Sequence, residues 1–373
     1  MQRSNPIDPI AGVVANLLVI GIGSYAAVLL AIDADLYYLG VQEDEYVEWA
    51  SFWAFTGAAL VYLYRALRPA FDWRSGWFII GLAIFCILVA MEEISWGQRV
   101  IGYRPPEYFL EYNFQQELNF HNVIDTDLRK AGFALVVFGY GAALPLLGLI
   151  PLVGRGLERV GILAPPPMLV PAFAITGIAQ LWYPFDFVGE WVELMLGVCF
   201  LFAAMSIVAR GQNGRRLAAR YTIAWLIVLG VGVACATATR FLRAGDPQYL
   251  AAARLELEAL RRDFLSDEME FRCGPHRRLF TYAERYELRY LRDGEFSRLT
   301  AQGLSEQRAE FMLDPWNYAY WIRDNCAADE RERMTYIYSF GPNRRRDSTK
   351  WEVGGDDLVV FVRGGPAAAQ PVR

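Results

Sequence analysis

Residues Met91 to Asn122 read MEEISWGQRVIGYRPPEYFLEYNFQQELNFHN, and they concentrate the side chains most able to do chemistry. Glu92 and Glu93 close an apolar run long enough to span a bilayer, and acids at membrane depth are costly and tend to be functional. Glu117 and His121 are spaced i,i+4. On a helix both would reach one metal ion or one proton-transfer partner. Asp186, Glu190 and Glu193 follow at i, i+4, i+7, one stripe of a helix face. Glu45 and Glu48 are i,i+3. Like charges gathered in a poorly solvated place cannot all stay ionised, so either protons or a cation must sit among them.

The residue inventory narrows that chemistry. The chain has two histidines, His121 and His276, so a three-histidine zinc site is excluded. A di-iron bundle with two Glu-x-x-His motifs is excluded as well. One divalent ion held by His121 and carboxylates remains open, as does a metal-free acid/base set of Glu93, Glu117 and His121, with Glu92, Asp186, Glu190 and Glu193 binding substrate or ion. There is no Gly-x-Ser-x-Gly elbow, phosphate loop or dinucleotide fingerprint. Five cysteines form no Cys-x-x-Cys pair. A net charge of −5 without a basic, aromatic-interleaved stripe argues against nucleic acid.

Membrane helices must position these acids. The chain of 373 residues is 54% hydrophobic, and the apolar runs fall almost wholly between 10 and 243. Seven segments have spanning length: 10–32, 47–66, 76–95, 131–153, 167–184, 187–209 and 221–243. The expected fold is a seven-helix polytopic membrane bundle (1–243, with an interfacial loop and helix in 96–130), followed by a small extracytoplasmic α+β domain (244–373). One set of loops carries Arg3, Arg65, Arg68, Arg74, Arg155, Arg159, Arg210, Arg215, Arg216 and Arg220; the opposite set carries Arg99, Arg104, Arg129 and Lys130. The positive-inside rule then puts the N-terminus in the cytoplasm, and an odd number of spans puts the C-terminal domain outside, in the periplasm if the host is Gram-negative. No cleavable signal peptide is expected. All the acids named above then lie near the outer leaflet. The compartment permits a disulfide between Cys273 and Cys326. The aromatic, amide-rich stretch after Pro105-Pro106 is expected to form an interfacial helix over about 106–122 and to cover the acids as a lid.

After span seven, a helix over 247–264 is expected, then strands at 279–282, 286–291, 335–340 and 358–362. The motifs Leu313-Asp314-Pro315-Trp316-Asn317-x-Ala319-Tyr320, Tyr336-x-Tyr338-Ser339-Phe340-Gly341-Pro342-Asn343 and Gly354-Gly355-Asp356-Asp357-Leu358 follow in that order. Together they resemble the C-terminal domain of type II secretion major pseudopilins. The resemblance covers about 310–362. It implies a small sheet packed on the preceding helix, and a calcium-binding loop using Asp314, Asn343, Asp347, Asp356 and Asp357. The chain departs from the pattern in lacking a glycine after Trp316 and in carrying Arg344, Arg345 and Arg346. A prepilin peptidase site before an N-terminal hydrophobic helix is also missing, so a borrowed fold is implied and not a pilus subunit. Residues 91–122 also resemble uncharacterised bacterial polytopic membrane proteins, which implies no activity. Two readings stay open: an outward-facing Glu/His enzyme acting on a lipid or lipid-linked substrate, or a non-catalytic envelope component whose C-terminal domain binds a secretion or pilus-like partner.

Overall fold

The computed structural model describes residues 9–67, 73–113, 115–208, 214–242, 247–266, 277–285, 300, 303–329, 331–348 and 353–364. The chain forms two compact units. The first comprises Met1–Trp96 and Ile124–Ala238, the second Gly97–Val123 and Thr239–Arg373. The second unit therefore takes in a segment that the sequence alone attaches to the membrane domain.

The first unit is helical: α1 Pro9–Ile32, α2 Ala34–Gly40, α3 Tyr46–Ala66 and α4 Trp73–Glu93 precede the excursion into the second unit. Among the described residues, five helices are long and apolar enough to cross a membrane: Ile10–Ile32, Gly76–Glu93, Thr126–Leu147, Val188–Val208 and Gly214–Thr239. α3 has the length but is more polar, with Glu48 and Arg65 within it, and it is not among the five. Helices end where their sequence requires. Asp33 caps α2 by accepting from the Leu36 amide at 2.9 Å. α4 stops because Ser95, Trp96 and Gly97 are all left-handed, a conformation that cannot propagate a right-handed helix.

In the second unit, α5 Gln98–Ile101 and α6 Glu107–Tyr112 come from the 97–123 segment. The first unit then resumes with α7 Thr126–Ala134, running through a π-helical stretch (Leu135–Ala143) into α8 Leu144–Leu147. That span was expected at 131–153. It ends earlier because the chain turns at Gly148, and Pro151 opens a separate helix, α9 Pro151–Val160. α10 Val170–Trp182, α11 Val188–Val208 and α12 Gly214–Leu242 complete the unit. α11 is its axis: 83% of its apolar window is buried, against 17–39% for the other four. Small residues let it approach α3 closely. A Cβ on Gly197 would meet the Ala54 Cβ at 3.0 Å, and Ala50, Ala54 and Ala58 repeat every four residues along α3. Between apolar helices in lipid such close packing is the main attraction available.

The rest of the second unit is α13 Pro247–Ser266, β1 Arg277–Arg278, α14 Leu279–Arg285, α15 Glu306–Glu310, β2 Trp321–Asp324, β3 Thr335–Ser339 and β4 Leu358–Arg363. The strands form one antiparallel sheet in the order β1-β2-β3-β4, with Ile322 opposite Ile337 and Ile337 opposite Val360. Leu257 and Leu260 of α13 belong to one core with Ile322, Ile337 and Val362. Tyr318, Trp321, Tyr336, Tyr338 and Phe340 form a separate aromatic core. The expected helix and the strands at 335–340 and 358–362 have direct counterparts. Residues 279–282 are helical instead of extended: Leu279, Phe280, Tyr282 and Ala283 are buried at helical spacing. The expected strand at 286–291 lies outside the described residues. Cys326 is disulfide-bonded, and Cys86, Cys199 and Cys235 are free thiols. Cys273, the partner expected from the sequence, lies outside the described residues.

Candidate functional site

The membrane-unit acids come from α3, α4 and α11. Glu93 is buried, 8% exposed, and the charges acting on it most strongly are those of Glu193, Glu190, Glu48 and Glu92. Three chain-distant helix ends thus place four other carboxylates within electrostatic reach of Glu93. Their local ties are specific. Glu92 Oε1 accepts from the Trp96 indole at 2.7 Å, and Glu48 Oε2 accepts from the Asp44 amide. Trp191, between Glu190 and Glu193 in sequence, stacks on Tyr37 and meets Tyr25 edge-on at 5.6 Å. Asp186 is not part of a helical stripe as its spacing suggested. α11 begins at Val188, after a turn with Phe187 left-handed, so only Glu190 and Glu193 share the helix, and the Asp186 carbonyl accepts from the Tyr37 hydroxyl at 2.8 Å.

Glu117 and His121 belong to the second unit, and the helix that would align them does not form. The segment is helical only over α6; a turn follows with Gln116 left-handed. Asparagine side chains compete with helical hydrogen bonds here. Asn113 Oδ1 accepts from the Gln115 amide at 2.7 Å, while its Nδ2 donates to the Glu117 carbonyl at 2.6 Å and to Asn119 Oδ1 at 2.8 Å. These amides hold the turn together. Glu117 itself is 1% exposed and held by two cations, Arg99 at 2.5 Å and Arg278 at 3.7 Å, and it accepts from the Tyr318 hydroxyl at 3.3 Å. Arg278 also lies over the Trp321 ring, 4.5 Å from its centroid. His121 is half-buried.

The aspartates divide likewise. Among the described residues, one group of ligand-type side chains draws within 4.8 Å of one another: Asp347, Asp356 and Asp357. The membrane-unit acids form no such group. Asn343 is adjacent, its Nδ2 2.6 Å from Asp347 Oδ2 and its amide 3.1 Å from Asp356 Oδ2. Asp356 Oδ1 is buried without a hydrogen-bond donor. Gly355 is left-handed, and a Cβ there would strike the Asp347 carboxylate. Burial raises Asp356 and Asp357 to pKa values of about 6. Arg345 pairs with Asp347 at 3.2 Å. Asp314 is not in the group. Its Oδ1 accepts from the Trp316 and Tyr318 amides at 3.0 and 2.9 Å, and its Oδ2 from the Ser339 hydroxyl at 2.6 Å.

Sequence reasoning missed Arg99 and Arg278 as partners of Glu117, since nothing local couples residues 18 and 161 positions away. It also missed Glu256, whose carboxylate is held by Arg308 at 3.0 Å and by the Tyr320 hydroxyl at 2.6 Å. That one carried a signal: Ala253, Glu256, Leu257 and Leu260 lie on one helix face, so the acid sits in an apolar stripe. No family model matches the chain, and no curated protein or solved structure does either.

Proposed function

We propose that the chain is an integral protein of the plasma (inner) membrane whose membrane unit carries a carboxylate site centred on Glu93. The site holds a cation or moves a proton on a lipid or lipid-linked substrate. In this reading α3 and α10 join the five long apolar helices to give seven spans. The N-terminus is cytoplasmic and the second unit extracytoplasmic, as loop charge and the disulfide at Cys326 favour. The observation that carries the functional part is Glu93, buried and acted on by Glu48, Glu92, Glu190 and Glu193 from three helices. Glu93 is the acid/base group, and Glu92, Glu190 and Glu193 supply the field that holds a cationic group. Glu117 leaves the catalytic set, because two arginines already hold it. His121 stays as a candidate proton carrier.

The test is native mass spectrometry of the detergent-purified full chain, before and after Glu93→Gln. The wild type should carry a bound lipid or cation that the variant loses, while both accumulate in the membrane and elute alike. A variant that keeps the same ligand, or a wild type that carries none, sinks the reading.

A second reading is favoured by the Asp347, Asp356 and Asp357 group. Its all-oxygen donors suit calcium. Calcium would displace Arg345 from Asp347 and take up the Asp356 oxygen that has no donor. The pseudopilin-like domain would then be a calcium-stabilised module that docks on a secretion or pilus-like assembly.

A further inference from the structure

Exposed apolar surface is unevenly spread over the second unit. Among its described residues, five large hydrophobic side chains are exposed within 97–123 (Val100, Ile101, Tyr108, Tyr112 and Phe120), against three in all the rest (Tyr249, Leu255 and Val353). Ile101 is 75% exposed, Tyr108 57%, Tyr112 59% and Phe120 53%. The aromatic residues among them make ring contacts. Tyr108 and Tyr112 stand one turn apart on α6 with ring centroids at 5.0 Å. Phe109, between them, is buried and meets Phe120 edge-on at 5.1 Å. The patch is thus a folded surface with its aromatic rings fixed.

Chain length says what covers it. Ile101 lies eight positions beyond Glu93, the end of one apolar helix, and Phe120 lies six positions before Thr126, the start of the next. At about 3.5 Å per residue, Phe120 cannot lie more than roughly 21 Å from that helix. A surface leashed this tightly at both ends to helices of spanning length stays within reach of the headgroup layer when those helices cross a bilayer. Tyrosines suit that depth, because the ring enters the acyl boundary while the hydroxyl stays wet. The charges beside them, Glu107 and Glu111, are exposed acids and would be repelled by anionic lipid.

We infer that Ile101, Tyr108, Tyr112 and Phe120 form a membrane-seating patch that inserts into zwitterionic headgroups. The patch rests the second unit on the bilayer. This inference needs only the membrane reading of the first unit and is independent of any role for Glu93.

The test uses the full chain in phosphatidylethanolamine/phosphatidylcholine nanodiscs. The photocrosslinker benzoylphenylalanine is placed singly at 108, 112 or 120. Leu17, an exposed residue of α1, is the lipid-facing control and Val353 the solvent-facing one. Phospholipid adducts at 108, 112 and 120 should approach the yield at 17 and exceed that at 353 several-fold. They should fall when the discs are made of phosphatidylglycerol. Adducts to protein at these positions, or yields no higher than at 353 while 17 still labels, overturn the inference. No labelling at 17 would instead overturn the membrane reading itself.

Discussion

Glu93 and Glu117 are the same residue type, both more than nine-tenths buried, and they keep opposite company. Glu117 lies against Arg99 and Arg278 with a tyrosine hydroxyl completing its shell. Glu93 is ringed by the charges of four other glutamates. A buried carboxylate loses hydration worth several kcal/mol, and a fold that recovers this with arginines gains rigidity. A fold that instead gathers acids leaves a binding demand for a proton or cation. The contrast therefore separates a cation-paired acid from one crowded by like charges where burial alone cannot.

The largest effect should come from removing the anion in the paired region. Glu117→Leu removes the buried carboxylate that Arg99 and Arg278 face, at a cost of about 3–5 kcal/mol to the second unit. Limited proteolysis of the full chain should show 97–123 and the sheet becoming cleavable together, since both contribute to this core. Glu117→Leu with Arg99→Met should recover part of the loss. Glu93→Gln in the crowded region should cost the first unit no stability. If Glu93→Gln proves the more damaging to folding, the two acids have been assigned the wrong way round.

A smaller effect sharpens the comparison through pH. Asp314 is fully buried, and desolvation lifts its pKa to about 7 despite donors from Ser339, Tyr318 and Trp316. Its folded pKa thus lies above its unfolded value of about 4. The folded state binds more protons than the unfolded state between those values, so stability falls as pH rises from about 4 to about 7. Asp356 and Asp357, both at about 6, act in the same direction. The unfolding midpoint of the second unit, followed by near-ultraviolet circular dichroism without divalent cations, should drop from pH 5 to pH 8 by the equivalent of roughly 1–3 kcal/mol. Asp314→Asn should flatten much of that slope. An unchanged slope would mean that the hydrogen bonds to Asp314 outweigh its burial.

How legible each acid was follows from the range of its partners. Glu92 and Glu93 stood out because an apolar run of spanning length ended on them, and their convergence with Glu190 and Glu193 followed from placing helix ends at one depth. Glu117 and His121 were misread because i,i+4 spacing has meaning only on a helix. The warning lay in Asn113, Asn119 and Asn122, whose side chains take over the turn's hydrogen bonds. Arg278 was out of reach, because its approach to Glu117 depends on β1 pairing with β2, a contact set by the whole second unit. β2 itself was missed. Trp321 and Ile322 lie in different cores, so the strand reads as a continuous apolar run without alternation.

The smallest expected effect concerns the acidic crowd found among the described residues of the second unit. If Asp347, Asp356 and Asp357 hold calcium, the ion should do there what arginine does for Glu117. Adding calcium at ten times its dissociation constant would then stabilise the second unit by about 1.4 kcal/mol. The gain should be greater at pH 8 than at pH 5, because protons compete for Asp356 and Asp357 around pH 6. Asp356→Asn should remove it, while Asp314→Asn, altering a carboxylate outside the group, should leave it intact. Arg345→Gln should strengthen calcium binding by freeing Asp347 from its ion pair. A calcium response unaffected by Asp356→Asn would place the ion elsewhere. A missing response in wild type that appears in Arg345→Gln would mean that the arginine has replaced the metal, bringing this loop into line with Glu117 as a structural, cation-paired acid.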